Sequence, residues 1–364
     1  MEIKEKILVK AFLLPKDGTV WSCQDRLAID IMHQRFALAD GVSNSYHPEV
    51  IAQLLCEKFI DGFINDEELD IRQYLPQIYS EWEENVNQIE SRLSGRKLEH
   101  AKTKRKHLPS GASTFAGITI DTDNQVISYQ IIGDSTLFII NKDGDFKPIC
   151  SNIVNSSNRN FIQYDNYPSV ICADGRNNDD LIIGHEPLEE GYLLLMTDGC
   201  AEWFQNAYLK NRHIIEKLWD INDNEEFQSI AEEKRLNGEM DDDLSAIILK
   251  VGDSPKLCEL VYAFHLPPLA TVKGEKFDMM ESNNDHVIKS EDSEVFNIIT
   301  DEVEQQTGLE TNEEDNRCDS KNDDDTTQIL DCNSKSETCI RGALFIIVIN
   351  RIVDFIEKKI KRKL

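Results

Sequence analysis

Three aspartates stand where an apolar strand meets a polar turn. They are Asp40 in Phe36-Ala-Leu-Ala-Asp40-Gly41, Asp198 in Leu193-Leu-Leu-Met-Thr-Asp198-Gly199, and Asp242 in Asp241-Asp242-Asp243, just before Leu244-Ser-Ala-Ile-Ile-Leu249. A carboxylate at a strand end is held by rigid backbone, and a following glycine lets the chain turn tightly and leaves its own carbonyl approachable. Carboxylates gathered from separate strands make a hard, oxygen-rich site suited to Mg2+ or Mn2+. Asp-Gly is also an ordinary turn signal, and Asp174-Gly175 reads as one. The repeated position at apolar strand ends sets the other three apart. The nine cysteines offer no rival chemistry. They show no Cys-x-x-Cys pair, no Cys/His spacing for zinc and no Cys-x5-Arg loop. They read as free thiols of a reducing cytosol, and the apolar run at 7–14, broken by Lys10, is too short to read as a secretory leader.

The elements that must hold these aspartates alternate strand and helix. Residues 26–31 and 35–39 read as strands around a turn at His33-Gln34, and 113–120, 125–132 and 136–141 as an antiparallel meander with Asp-Asn and Gly-Asp punctuation. Residues 192–196 and 244–251 are short apolar runs of the kind that fill a buried sheet. Helical spacing occupies 48–63, with Val50, Ile51, Leu54, Leu55, Phe59 and Ile60 on one broad face, and recurs at 71–93 and 207–218. Strand runs interleaved with helix pairs predict an α+β domain in which helices cover sheets.

Composition bounds the partners. Apolar residues make up 40% and charged residues 29% of 364, with a formal net charge of −28, which disfavours nucleic-acid phosphates and suits divalent cations or simple solvation. The texture predicts three parts: a folded domain at 1–252, an acidic segment at 253–338, and an apolar, then basic, helix at 339–364. The acidic segment, above all 274–338, buries too little apolar surface to offset chain entropy and reads as disordered. The terminal apolar core, 343–349, is well under the roughly 20 residues needed to span a bilayer. Ile352, Val353, Ile356 and Ile360 share a helical face opposite lysines and arginines, which suits either a membrane surface or a docked protein.

With these residues laid out, the chain resembles the PP2C (PPM) family of metal-dependent serine/threonine protein phosphatases, in its bacterial branch. Six motifs run in the family's order. Ser22-Cys-Gln-Asp25-Arg26 is similar to its first motif, and Asp40-Gly41-Val-Ser to its Asp-Gly-x-Gly. Ser110-Gly-Ala-Ser-Thr114 resembles its Gly-Ser/Thr-Thr strand opening, and Gly133-Asp134-Ser135 its Gly-Asp-Ser turn. Thr197-Asp198-Gly199-Cys-Ala-Glu202 resembles Thr-Asp-Gly-x-x-Glu, and Asp242-Asp243-Leu-Ser245 the closing Asp-Asn-x-Thr/Ser.

The resemblance implies an α/β/β/α sandwich of two antiparallel sheets flanked by helices. It also implies a pair of Mn2+ or Mg2+ ions, with a weaker third. Asp40 would bridge the pair and the Gly41 carbonyl would ligate one ion. Asp198 and Asp242 would complete the other, Asp25 would act through bound water, and Asp134 would serve the third site. The run Asp241-Asp242-Asp243 leaves the register open, and alignment to Ser245 favours Asp242. The implied reaction is hydrolysis of phosphoserine and phosphothreonine by a metal-activated water, opposing a serine/threonine kinase in the cytoplasm.

Val20, Val42 and the missing second glycine of Asp40-Gly41-Val42-Ser43 depart from the family pattern, and these departures bear on phosphate binding more than on metal binding. Val20 stands where many relatives carry a phosphate-holding arginine, with Arg26 as a candidate substitute or an ordinary cation. Val42 replaces a histidine of the eukaryotic form. His47 reads either as a proton donor or as the residue preceding a helix begun by Pro48. Between Arg92 and His107 lies a basic segment, read as a solvated loop, a receiver of an acidic or phosphorylated partner, or a receiver of the acidic tail. A catalytically silent phosphoprotein-binding scaffold is the alternative to an active phosphatase; retention of Asp40, Asp198 and Asp242 favours activity.

Overall fold

The computed structural model describes residues 5–20, 22–62, 70–151, 162, 164, 168–175, 180–238, 240 and 242–274. The chain divides into Met1–Ser282 and Asn283–Leu364. The second unit lies outside the described residues, and so do the disorder expected beyond 274 and the helix expected at 339–364.

In chain order, strands β1 (Lys6–Leu14), β2 (Arg26–Asp30) and β3 (Arg35–Ala39) precede helix α1 (Pro48–Asp61), a 3-10 turn (Ile71–Tyr74), α2 (Leu75–Ser91) and α3 (Gly95–His107). A run of strands follows: β4 (Ala112–Ser113), β5 (Phe115–Asp121), β6 (Val126–Ile132), β7 (Thr136–Asn141), β8 (Phe146–Ile149), β9 (Ile171–Cys172), β10 (Ile182–Pro187) and β11 (Gly191–Met196). Helices α4 (Asp198–Lys210), α5 (Ile214–Trp219) and α6 (Asn224–Leu236) lead to β12 (Leu244–Val251), β13 (Leu257–Ala263) and β14 (Ala270–Lys273).

Two six-stranded sheets form, in the orders β13-β1-β12-β11-β7-β8 and β10-β6-β5-β3-β2-β14, with β4 and β9 as a small separate pair. Side chains alternate across each strand, so a strand buried on both faces is apolar throughout. In β3, Phe36 and Leu38 enter the core between the sheets, while Ala37 and Ala39 lie under α1. In β12, Ile247 and Leu249 face the other sheet, and Ala246 and Ile248 face α4 to α6. Lys10 falls on the helix face of β1 and is buried, its ammonium donating to the carbonyls of Trp219 (2.6 Å) and Ile221 (2.7 Å). The layering is α/β/β/α.

Four expectations change. The sheets are mixed, because β13 pairs with β1 and β14 with β2 in parallel. Those two strands also correct the boundary at 252: the folded chain continues to at least Lys273, adding one edge strand to each sheet. Cys258, Leu260, Tyr262 and Ala263 of β13 turn inward while Leu257, Glu259 and Val261 are exposed, and β14 is four residues of which Ala270 is fully buried. The helix expected at 207–218 is two helices, broken where Asn211 turns extended, and the first begins at Asp198 itself. The basic segment is not a loop; most of it is helix α3.

Candidate metal centre

The polar residues of the six motifs meet at one end of the sandwich because the sheet register places them there. Met196 pairs with Ala246, and the next step continues as Thr197 N–H donating to the Ser245 carbonyl (3.1 Å), so Asp198 emerges beside Asp243 and Asp242. On the other sheet β3 runs out at Asp40, whose carbonyl accepts from the Thr114 N–H (2.9 Å) and the Ser113 hydroxyl (2.6 Å). Gly41 bridges to Ser113 and packs so closely on Pro48 that a Cβ there would lie 2.9 Å from proline carbons. The Gly133-Asp134-Ser135 turn needs its glycine too: φ is +88° and a Cβ would lie 2.6 Å from the Thr114 methyl. Ser135 and Thr114 share a hydroxyl hydrogen bond of 2.8 Å.

One hydroxyl ties the two sheets at this point. Thr197 Oγ1 donates to Asp25 Oδ2 (2.9 Å) and accepts from the Ser245 N–H (3.1 Å). Asp243 does similar work, accepting the backbone N–H of Lys16 on one oxygen and of Gln24 on the other, both at 2.7 Å. Gln24 in turn accepts from the Ser43 hydroxyl (2.7 Å), joining the first motif to the loop after Asp40. Thr197 and Gln24 stand out in the sequence only by position inside a motif beside an acidic residue, and Asp243 only as one of three adjacent acids whose register was open.

Burial grades the cluster. Asp25, Asp134 and Asp243 are buried, Asp40 and Asp198 are half-buried, and Asp242 is exposed, so the cluster opens to solvent on the Asp242 side. Burial, and then the charges of Asp25, Asp198, Asp242 and Asp134, push the Asp40 carboxyl well above the usual carboxylate range. Asp25 is likewise raised, by burial and by Asp243, with the Ser245 and Thr197 hydroxyls offsetting part. Asp198 is pushed up to about 6 by burial and by Asp242, against the N–H of Gly199. Like charges crowded this way ask for a cation, and an all-carboxylate donor set with a nearby carbonyl fits a hard divalent ion.

The side chains do not already enclose one. Asp198 accepts from the N–H of Gly199 (2.7 Å) and Asp242 from that of Asp243 (2.8 Å). Among the described residues no three Asp, Glu, His or Cys converge at ligand spacing. Asp241 lies outside the described residues.

Arg26 is bonded within its own loop. It is 4% exposed, beneath α1, and one guanidinium nitrogen donates to the carbonyls of Cys23 (2.8 Å) and Asp25 (2.7 Å). Burial disfavours its charge, and Glu49 in the first turn of α1 helps offset that. The structure thus places Arg26, the candidate for holding phosphate, as a buried brace of its own loop. Val20 packs against the core between the sheets. His47 sits at φ +50° before α1, its ring within 2.7 Å of Glu49 and its carbonyl accepting from Trp82. Cys23, Cys56, Cys200 and Cys258 are free thiols, and burial raises those of Cys23 and Cys200 beside the cluster far from reactive values.

A family model described as protein phosphatase 2C matches residues 19–242. A search of the curated proteins finds no match. Among solved structures the chain is similar to the serine/threonine phosphatase Stp1 from Staphylococcus aureus (16% identity, TM-score 0.43, covering 69% of this chain and 97% of that one). It is also similar to the catalytic domain of the serine/threonine protein phosphatase PstP in complex with two manganese ions (16%, 0.43, 68% and 99%). A third is the S. agalactiae serine/threonine phosphatase (14%, 0.42, 67% and 99%).

Proposed function

The chain belongs to the protein phosphatase 2C family, and from that premise we propose that its carboxylate cluster takes two divalent ions, Mn2+ or Mg2+, to hydrolyse phosphoserine and phosphothreonine in proteins. The carrying observation is the electrostatic surroundings of Asp40. The four charges that most perturb it are all carboxylates, Asp25, Asp198, Asp242 and Asp134, and all destabilise its anion. Such a cluster is costly without a cation.

In this reading Asp40 and the Gly41 carbonyl would hold the ions, with Asp198 and Asp242 as their remaining protein ligands. Asp242 is preferred over Asp243, because both oxygens of Asp243 already hold backbone amides. Asp25, fixed by Thr197, acts through ordered water, and Asp134 belongs to a weaker third site. The ions, when bound, supply Lewis acidity that makes water a nucleophile near neutral pH and offsets charge on the phosphoryl oxygens. The chain itself holds its carboxylates on strand ends, which spares reorganisation during the reaction. It offers no guanidinium to the phosphoryl group from position 20 or 26. The substrate is a phosphorylated protein, the product of a serine/threonine kinase.

No observation favours the silent scaffold, which would carry the crowded carboxylates at a cost in stability and without use. The test is Mn2+-dependent hydrolysis of p-nitrophenyl phosphate and of a phosphothreonine peptide. Activity is expected to vanish on chelation and in Asp40→Asn and Asp198→Asn; hydrolysis that survives both substitutions would overturn the assignment.

A further inference from the structure

Helix α3 is a cationic body on a strongly acidic chain. From Arg96 to His107 it carries Arg96, Lys97, Lys102, Lys104, Arg105 and Lys106 against a single acid, Glu99. Packing does not explain it, since Ala101 is its one buried residue. Helix stability explains only part of it. Cations in the last turn complement the helix dipole, but Arg96 and Lys97 stand in the first turn, where positive charge is disfavoured. Like charges at Lys102 and Lys106, four apart, repel as well. Arg105 is used internally, bonded to Glu83, Asn87 and Glu90 of α2. Arg96, Lys97, Lys104 and Lys106 are exposed and make no ion pair among the described residues.

Helical spacing aligns the outward charges. With Ala101 and Arg105 turned inward, Arg96, His100, Lys104 and His107 fall on one stripe at intervals of four, four and three, with Lys97 beside it. At about 1.5 Å per residue the stripe is roughly 16 Å long. Its C-terminal end is tethered to the loop that carries Asp40. The Tyr46 N–H donates to the Pro109 carbonyl (2.9 Å), the Val42 N–H donates to that of Ala112 (2.9 Å), and Gly41 bridges to Ser113. Ser113 lies six positions beyond His107, so the stripe begins within about 21 Å of the site, the span of some six extended residues.

We infer that the outer stripe of α3 is a docking surface for an acidic segment of the phosphoprotein substrate, about six or more residues from the phosphorylated side chain. The inference rests on the phosphatase reading for its purpose, yet binding tests it separately. The exposed charges would act mainly by steering and by screened attraction, so the effect is moderate and salt-sensitive.

The experiment compares the full chain with the variant R96Q/K97Q/K104Q. Two phosphothreonine peptides are used, one with four glutamates placed six to nine residues from the phosphothreonine and one with glutamines there. Fluorescence anisotropy reports binding and phosphate release reports turnover. Expected is preference for the acidic peptide, lost about fivefold in the variant and in about 0.5 M salt, with hydrolysis of p-nitrophenyl phosphate and the thermal midpoint unchanged. Equal binding of both peptides by the native chain, or a preference that the variant keeps, overturns the docking surface. So does lysine-dependent binding to phosphatidylserine vesicles without peptide discrimination. Failure of all hydrolysis with acidic-peptide binding intact would instead count against the phosphatase reading and leave the surface standing.

Discussion

Two regions of this molecule crowd like charges, and they differ in burial. The carboxylate cluster sits at the end of two packed sheets, with Asp25 and Asp134 buried and Asp40 half-buried. The cations of α3 stand in water on a helix with one buried residue. In low dielectric a charge neighbour shifts ionisation strongly, as at Asp40 and Asp198; in water the same spacing is screened within about 8–10 Å. The first region thus demands its counter-ion, whereas the second only attracts one.

The strongest break in this comparison is Asp40→Asn. Phosphatase turnover is expected to fall at least about a hundredfold, beyond the 10- to 100-fold typical of supporting groups around a metal, and steady-state kinetics in Mn2+ would read it. Next comes pH. Asp25, Asp40 and Asp198 have folded pKa values raised above the unfolded value near 4, so the folded chain binds protons more tightly than the unfolded one. Their contribution is full below that value and is lost as pH rises, through about 6 for Asp198. In chelator the thermal midpoint should decline as pH rises from about 4 through 6, and excess Mn2+ should flatten the decline. Scanning calorimetry at both conditions checks it, with Asp198→Asn in chelator flattening the slope as well.

Smaller effects sharpen the boundary between the regions. Thr197→Val removes the donor to Asp25 and should cost about 1–3 kcal/mol of stability and weaken Mn2+ affinity, read by denaturation and by metal titration. Arg26→Met should lower stability without raising KM for p-nitrophenyl phosphate; a raised KM at unchanged kcat would restore a phosphate role to that side chain. The smallest change belongs to α3, about fivefold and removable by salt.

The sequence carried the layered fold and the motif positions further than it carried the edges of the sheets. Asp40 and Asp198 were legible because an apolar strand ending in Asp-Gly is a local pattern. The β3, β6, β7 and β12 strands were legible for the same reason, their period-two or wholly apolar runs being intrinsic to the segment. What stayed hidden is relational. Strand β13 is an edge strand with alternate residues exposed and β14 is four residues long, so their pairing with β1 and β2 is what reveals them. Helix α3 has no apolar stripe to betray it, because only Ala101 is buried.

By itself, then, the sequence determined which residues are acidic, which stand at strand ends, and the order of the six motifs. Only the tertiary structure decided that Arg26 turns under α1 to brace its own loop, and that Asp243 spends both oxygens on the amides of Lys16 and Gln24. The physical reason is that strand and turn patterns are encoded by neighbours along the chain. Which face a polar side chain takes, and which distant amide it meets, depends on sheet register and on what packs above it.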